Sequence, residues 1–176
     1  MGRTIRRVRV ALAALFCIVG SHAALAQSPA GCSLQPISGT SRQVLHCKGG
    51  INITAEAGAR FQLIDHNRDG QVDAVSLSEK AVLLDVDSKR VKGGFEVVTP
   101  QAIAAVRGTR WSVDVQSGKT SVLVLRGRVA VHRPDTRDGV SLGRGQGVDV
   151  DGGSSPLVVK RWPAARVSAL MARLGQ

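Results

Sequence analysis

The sequence has no tyrosine, and only three phenylalanines and two tryptophans among 176 residues. A sugar-stacking platform needs exposed aromatic faces, so a glycan site here would have to lean on Trp111, Trp162 or charge. Histidine is sparse too: beyond His22 there are His46, His66 and His132, and no two of them have metal-ligand spacing. No serine sits in a G-x-S-x-G elbow. The Gly-rich "GRGQG" from Gly143 to Gly147 precedes no helix and reads as a plain turn, not a phosphate cradle. Asp85 and Asp87 share a strand face, but nothing places a substrate between them, and they read as solvated edge charges. These absences leave no enzyme to argue for.

A long apolar run is also missing. The run "VALAALFCIVG" falls short of the roughly 20 residues that a membrane span needs. It follows a cationic start of Arg3, Arg6, Arg7 and Arg9 and precedes the small residues Ala24-Leu25-Ala26, the pattern of a cleavable export signal over residues 1–26. Cleavage is expected before Gln27, leaving no transmembrane span in a periplasmic or secreted chain. Arg6-Arg7 leaves a twin-arginine route open beside the general one. Neither Cys17 nor Cys32 follows a leucine-led lipidation motif.

Removing the signal arginines leaves 20 Lys+Arg against 13 Asp+Glu, a mature charge of +7. Anionic partners in the cell envelope follow from that charge, and export argues against nucleic acid. Of the three cysteines the mature chain keeps Cys32 and Cys47, and an oxidising compartment would join them. Closing a loop of that length stabilises by about 3 kcal/mol in the chain-entropy model. A metal pair with His46 is the weaker alternative, lacking a fourth nearby ligand.

Nearly everything after the signal reads as short strands punctuated by Gly, Asp, Asn and Pro, an all-β domain. The segments "VSLSEKAVLLDV", "VLVLRGRVAVHR" and "VSLGRGQGVDVD" each run strand, turn, strand, with the turn soon after Leu77, Leu125 and Leu142. A stack of hairpins or an irregular solenoid fits this, and a two-sheet sandwich fits as well. The tail differs. In "WPAARVSALMARLG", Pro163 suits the first turn of a helix and Gly175 its end, while Val167, Leu170, Met171 and Leu174 share one face. That helix reads as a cap over the β-domain, with a membrane-surface helix as the alternative. The expected organisation is an N-terminal disulfide-closed segment over 27–50, a β-domain over 51–152, and a linker with an amphipathic helix over 153–176.

Two stretches raise questions. In "DHNRDGQVD", Asp65, Asn67 and Asp69 alternate, Gly70 permits a sharp turn and Asp73 follows, as in the first half of a calcium loop. Ser76 stands where the bidentate glutamate of an EF-hand belongs, and the flanks read as strands. Calcium in a β-turn is one reading; a hairpin turn with Asp and Asn bonding local backbone is the other. The second stretch is "VVTPQAIAAVRGTRWSVDV". The apolar parity of Trp111, Val113 and Val115, counted backwards, falls on Arg107. Either Arg107 is buried and bonded, or the register slips at Gly108 and moves the apolar side to Val106.

"FEVVTPQAIAAVRGTRWSVDV" followed by "TSVLVLRGRVAVH" resembles the core of the FecR domain, the periplasmic domain of the ferric-citrate-type sigma regulators. The family pattern f-x-v-x-T-P, v-R-G-T and t-x-V-x-V-x-x-G-x-V-x-V falls on Phe95, Val97, Thr99, Pro100, Val106, Arg107, Gly108, Thr109, Val122, Val124, Gly127, Val129 and Val131. The resemblance spans roughly residues 51–150. It implies an all-β, short-stranded, solenoid-like or sandwich-like domain without catalytic activity or cofactor, with the motif residues structural. We expect Gly108 to turn a corner between layers and Arg107 to be held by carbonyls or by a carboxylate such as Glu96 or Asp114.

Full-length regulators of that family carry a cytoplasmic anti-sigma segment and a transmembrane helix before this domain. Here an export signal stands in their place, so contact with a cytoplasmic sigma factor is not expected. The resemblance therefore implies a signalling or protein-interaction module whose partner is the extracytoplasmic part of a membrane signalling protein. The runner-up is a structural envelope protein that binds anionic polysaccharide or peptidoglycan through its basic surface.

Overall fold

The computed structural model describes residues 31–37, 39, 42–87, 89, 93–136 and 138–176. The export signal and its expected cleavage site lie outside these residues. Among these described residues thirteen strands join into one continuous sheet, followed by one helix. The strands are β1 (Cys32–Pro36), β2 (Gln43–Cys47), β3 (Ile51–Ala55), β4 (Arg60–Ile64), β5 (Ala74–Val86), β6 (Phe95–Val98) and β7 (Ile103–Val106). They continue as β8 (Arg110–Gln116), β9 (Lys119–Arg126), β10 (Val129–His132), β11 (Gly139–Leu142), β12 (Gln146–Val150) and β13 (Lys160–Arg161), before α1 (Ala164–Arg173).

β5 belongs to two layers. Its first half pairs with β4 and β6, and its second half with β3 and β8. One layer therefore runs β1-β2-β3-β5-β8-β9-β12-β13 and the other β4-β5-β6-β7-β10-β11. Between them lies one core of inward-facing Val, Ile and Leu, as alternation demands of strands buried on one face. Phe95 of one layer meets Trp111 of the other edge to face, with ring centroids 6.2 Å apart.

The three strand-turn-strand segments are not hairpins. After Leu77 the chain bends at exposed Ser78–Lys80, with Lys80 at φ 68°, and β5 passes into the other layer. After Leu125 it passes from β9 to β10 through Gly127, and after Leu142 from β11 to β12 through Gly143–Gly145. Within each segment the flanking pieces pair with other strands, so the chain winds alternately through two layers. True hairpins occur where the turn chemistry supports them. Ser117 and Gly118, both at positive φ (51° and 69°), form the two-residue turn between β8 and β9.

The 107–109 stretch is a further crossing, from β7 in one layer to β8 in the other. It resolves the parity conflict. Val106 faces the core at the end of β7, Arg107 is exposed, Gly108 takes φ 71°, and Trp111 restarts the core face. A change of layer at Gly108, followed by a register irregularity between Arg110 and Trp111 in the β8–β9 ladder, lets both strands send alternate residues into the same interior.

Helix α1 caps the outer face of the first layer. Leu170 and Leu174 are buried with Trp162 against Ala81, Leu83 and Leu123, and Val167 and Met171 pack beside them. Burying the three larger side chains stabilises docking by about 1.5–3 kcal/mol each. Pro163 occupies the N-cap, one position before the first turn, and Gly175 at φ 73° ends the helix. With its apolar stripe covered, the membrane-surface alternative has no free face to use. Among the described residues no helix is long and apolar enough to cross a membrane.

Candidate functional site

The motif residues gather at two structural knots. In the first, Thr99, Pro100, Gln101 and Ala102 make the turn between β6 and β7. The Thr99 Oγ1 accepts from the Ala102 N–H at 2.9 Å, and the Thr99 N–H donates to the Ala102 carbonyl at 2.8 Å. Pro100 pre-sets the φ that the second residue of such a turn needs. The buried Thr99 hydroxyl also lies 2.8 Å from that of Thr120 on β9, which donates to Gln101 at 2.9 Å. A turn of one layer is thereby tied to a strand of the other. Thr120 was not singled out in the sequence; its signal is a threonine on the core parity of Val122 and Val124.

The second knot joins two layer crossings. Thr109, fully buried, donates from Oγ1 to the Arg128 carbonyl at 3.0 Å, and its own carbonyl accepts from the Val86 N–H at 3.0 Å. Gly127, at φ 87°, packs so closely that a Cβ there would lie 2.8 Å from Thr109 Oγ1 and 3.0 Å from the Gly108 carbonyl oxygen. Only glycine fits both the conformation and the space. Arg107 is exposed and not buried, and the Asp114 carboxylate accepts from Arg173 and Gln116.

Cys32 and Cys47 are directly opposed on β1 and β2 and joined in a disulfide. That removes both thiolates from the metal reading. His46 instead bonds Asn52 (2.6 Å) and Gln35 (3.2 Å). Asp65, Asn67, Asp69 and Asp73 lie in the turn from β4 to β5. Asp65 accepts from the Asp69 and Gly70 amides (3.2 and 2.9 Å), Asp69 from Gln71 (2.8 Å) and Asp73 from His66 (2.8 Å). Among the described residues no three His, Cys, Asp or Glu side chains are arranged to hold a metal ion. Asp85 accepts from Arg126 at 2.7 Å, an ion pair at the sheet surface. Trp111 and Trp162 are 0% and 7% exposed, so neither offers a face to a sugar ring.

The helix is fastened by charge as well as by apolar contact. Arg173 donates to Glu56 (2.9 Å) and Asp114 (2.7 Å), and these two bonds hold its guanidinium pKa well above the ordinary arginine range. Arg166 lies 3.5 Å over the Trp162 ring and donates to Asp149 at 3.0 Å. Burial raises the Asp149 pKa, but the bonds from Arg166 and Ser121 outweigh it and bring the carboxyl below its usual value. A groove of about 860 Å³ lies between the β10–β11 loop and the linker before β13, lined by Asp138, Val140, Asp151, Ser155 and Leu157 among others. Arg133 braces it by donating to the Ser155 carbonyl at 3.0 Å.

The profile of the family described as FecR protein matches residues 37–130, which contain both knots. The chain belongs to the FecR family. The matched region runs from the β1–β2 hairpin to β10, and in this FecR chain both layers continue beyond it through β11 and β12. Two crystal structures of a proposed anti-sigma factor from Parabacteroides distasonis ATCC 8503, at 2.50 and 1.65 Å, share the fold with TM-scores of 0.59. They are 19% and 20% identical over 80% and 79% of this chain. The FecR chain spans 64% of their length. No curated protein matches it.

Proposed function

We propose that this FecR-family chain is a non-enzymatic periplasmic module that signals by binding the extracytoplasmic part of a membrane signalling protein. Family membership carries this reading, since the motif residues serve two buried structural knots and present no catalytic array. The fold it shares with a proposed anti-sigma factor supports a regulatory role. Its export pattern and basic charge agree with a partner in the envelope. The polysaccharide reading loses its stacking platform with the burial of Trp111 and Trp162. Crosslinking of the tagged, exported protein in intact cells, followed by affinity capture and mass spectrometry, tests the proposal. Recovery of one membrane signalling protein from the periplasmic side is expected. Recovery of the chain from the cytoplasm after osmotic shock, or of glycan fragments alone, would refute it.

A further inference from the structure

All three crossings between the β6–β12 strands fall at one end of the two layers, and each carries arginine. Arg107 precedes Gly108, Arg126 and Arg128 flank Gly127, and Arg144 precedes Gly145. The crossings touch: Thr109 bonds the Arg128 carbonyl, and the Gly145 N–H donates to Val124, two residues before Arg126. Arg110 is paired with Arg126 across β8 and β9, and the Arg161 guanidinium lies against Gly145. Arg107, Arg126, Arg128, Arg144 and Arg161 are exposed and Arg110 is half-buried. Carboxylates at this end include Asp85, which takes Arg126, Asp87, and Glu96, registered opposite Ala105 two residues before Arg107. The Asp65–Asp73 turn lies at the far side of this end, where Gly31 packs against Gly70. Six of the 24 Lys and Arg residues thus gather at this end.

We propose that this arginine-rimmed end is the docking surface and that its partner is a carboxylate-rich protein surface, an inference that rests on the protein-interaction reading above. Arg126 is held by Asp85 and Arg110 donates to Gln176 at 2.6 Å, so Arg128, Arg144 and Arg161 are the guanidiniums offered to a partner's carboxylates, whose geometry their forks suit, with the crossings that carry them fixed by buried bonds. No tryptophan is exposed there, and Phe95 at the neighbouring strand start is fully buried, so a sugar ring would find charge but no stacking face. Each exposed pair is weak alone and screened by salt. The surface therefore acts through several pairs together.

The test uses the exported full chain, the variant R128Q/R144Q/R161Q, and the control R60Q/K80Q/K119Q, which removes equal charge at the opposite end of the layers. Binding to immobilised poly-L-glutamate, alginate and phosphatidylglycerol vesicles is measured from 50 to 300 mM salt. We expect poly-L-glutamate binding to fall about tenfold in the first variant and less than threefold in the control. Equal losses in both, or alginate or vesicle binding as strong and as sensitive to the first variant, would overturn the proposal. So would a wild-type dimer in analytical ultracentrifugation that the first variant abolishes, since the occupant would then be a second copy. If the triple variant melts early, the single variants R128Q and R144Q replace it and are each expected to weaken binding about twofold. Crosslinking in cells separates the two levels: capture of the same protein by wild type and variant removes this surface but keeps the protein-binding role, whereas capture of no protein by wild type removes that role.

Discussion

Replacing Arg173 by glutamine removes the clasp that fastens α1 to the body. The arginine donates to both oxygens of Glu56 and both of Asp114, whose side chains are only 12% and 14% exposed, and is itself 31% exposed. Breaking a fully buried pair costs about 3–5 kcal/mol, because an uncompensated charge is stranded. Partial exposure lets water reach the site, and about 2–3 kcal/mol is the expected loss. For a domain of this size that lowers the melting midpoint by about 4–12 °C. Apolar docking of Trp162, Leu170 and Leu174 remains, so the helix should loosen before the layers do. Hydrogen exchange by mass spectrometry should show faster exchange across α1 in R173Q, with β8 and β9 protected. Adding E56Q and D114N to R173Q should recover part of the midpoint by removing the stranded charges. A midpoint within about 1 °C of wild type, with unchanged exchange in α1, would refute the clasp.

Gly127→Ala places a methyl group 2.8 Å from Thr109 Oγ1 at φ 87°, and a loss of about 2–4 kcal/mol in denaturant unfolding is expected; a loss under about 0.5 kcal/mol would mean that the crossing relaxes freely. Because the Asp149 pKa is lower in the folded chain than in the unfolded chain, its contribution is complete above an unfolded value near 3.9 and is lost as pH falls through the folded value. Thermal melts should therefore be flat with respect to this group from pH 7 to 5 and fall below about pH 4, a fall that Asp149→Asn should reduce. The Asp65–Asp73 turn is expected to hold its shape through its amide bonds, so chelation should leave the midpoint unchanged; a calcium-dependent rise lost in Asp69→Asn would establish a metal role.

Much of the local architecture was legible from the residues. Alternation located the strands, and the stripe of Val167, Leu170, Met171 and Leu174 gave the helix and its buried face. Cys32 and Cys47 found each other because their strands are neighbours in sequence and in space. The family motif was readable through its order and spacing, although its spacing did not say that Thr109 would meet Gly127 or that Thr99 would meet Thr120. The bends after Leu77, Leu125 and Leu142 were placed correctly, but the residues left hairpins, solenoid layers and a two-sheet sandwich equally open. A bend looks the same locally whether the next strand returns to its own layer or enters the other; long-range pairing decides.

By itself the sequence determined which residues form strands, which face of each is apolar, where glycine must permit a turn, and the sign of the charge. These follow from forces that act over a few residues: backbone sterics, side-chain alternation and turn chemistry. The tertiary structure decided which layer each strand joins, that Glu56 and Asp114 meet Arg173 across separations of 117 and 59 residues, that both tryptophans are buried, and that the arginines share one end. Those outcomes depend on contacts between residues far apart in the chain, where spacing along the sequence carries no distance.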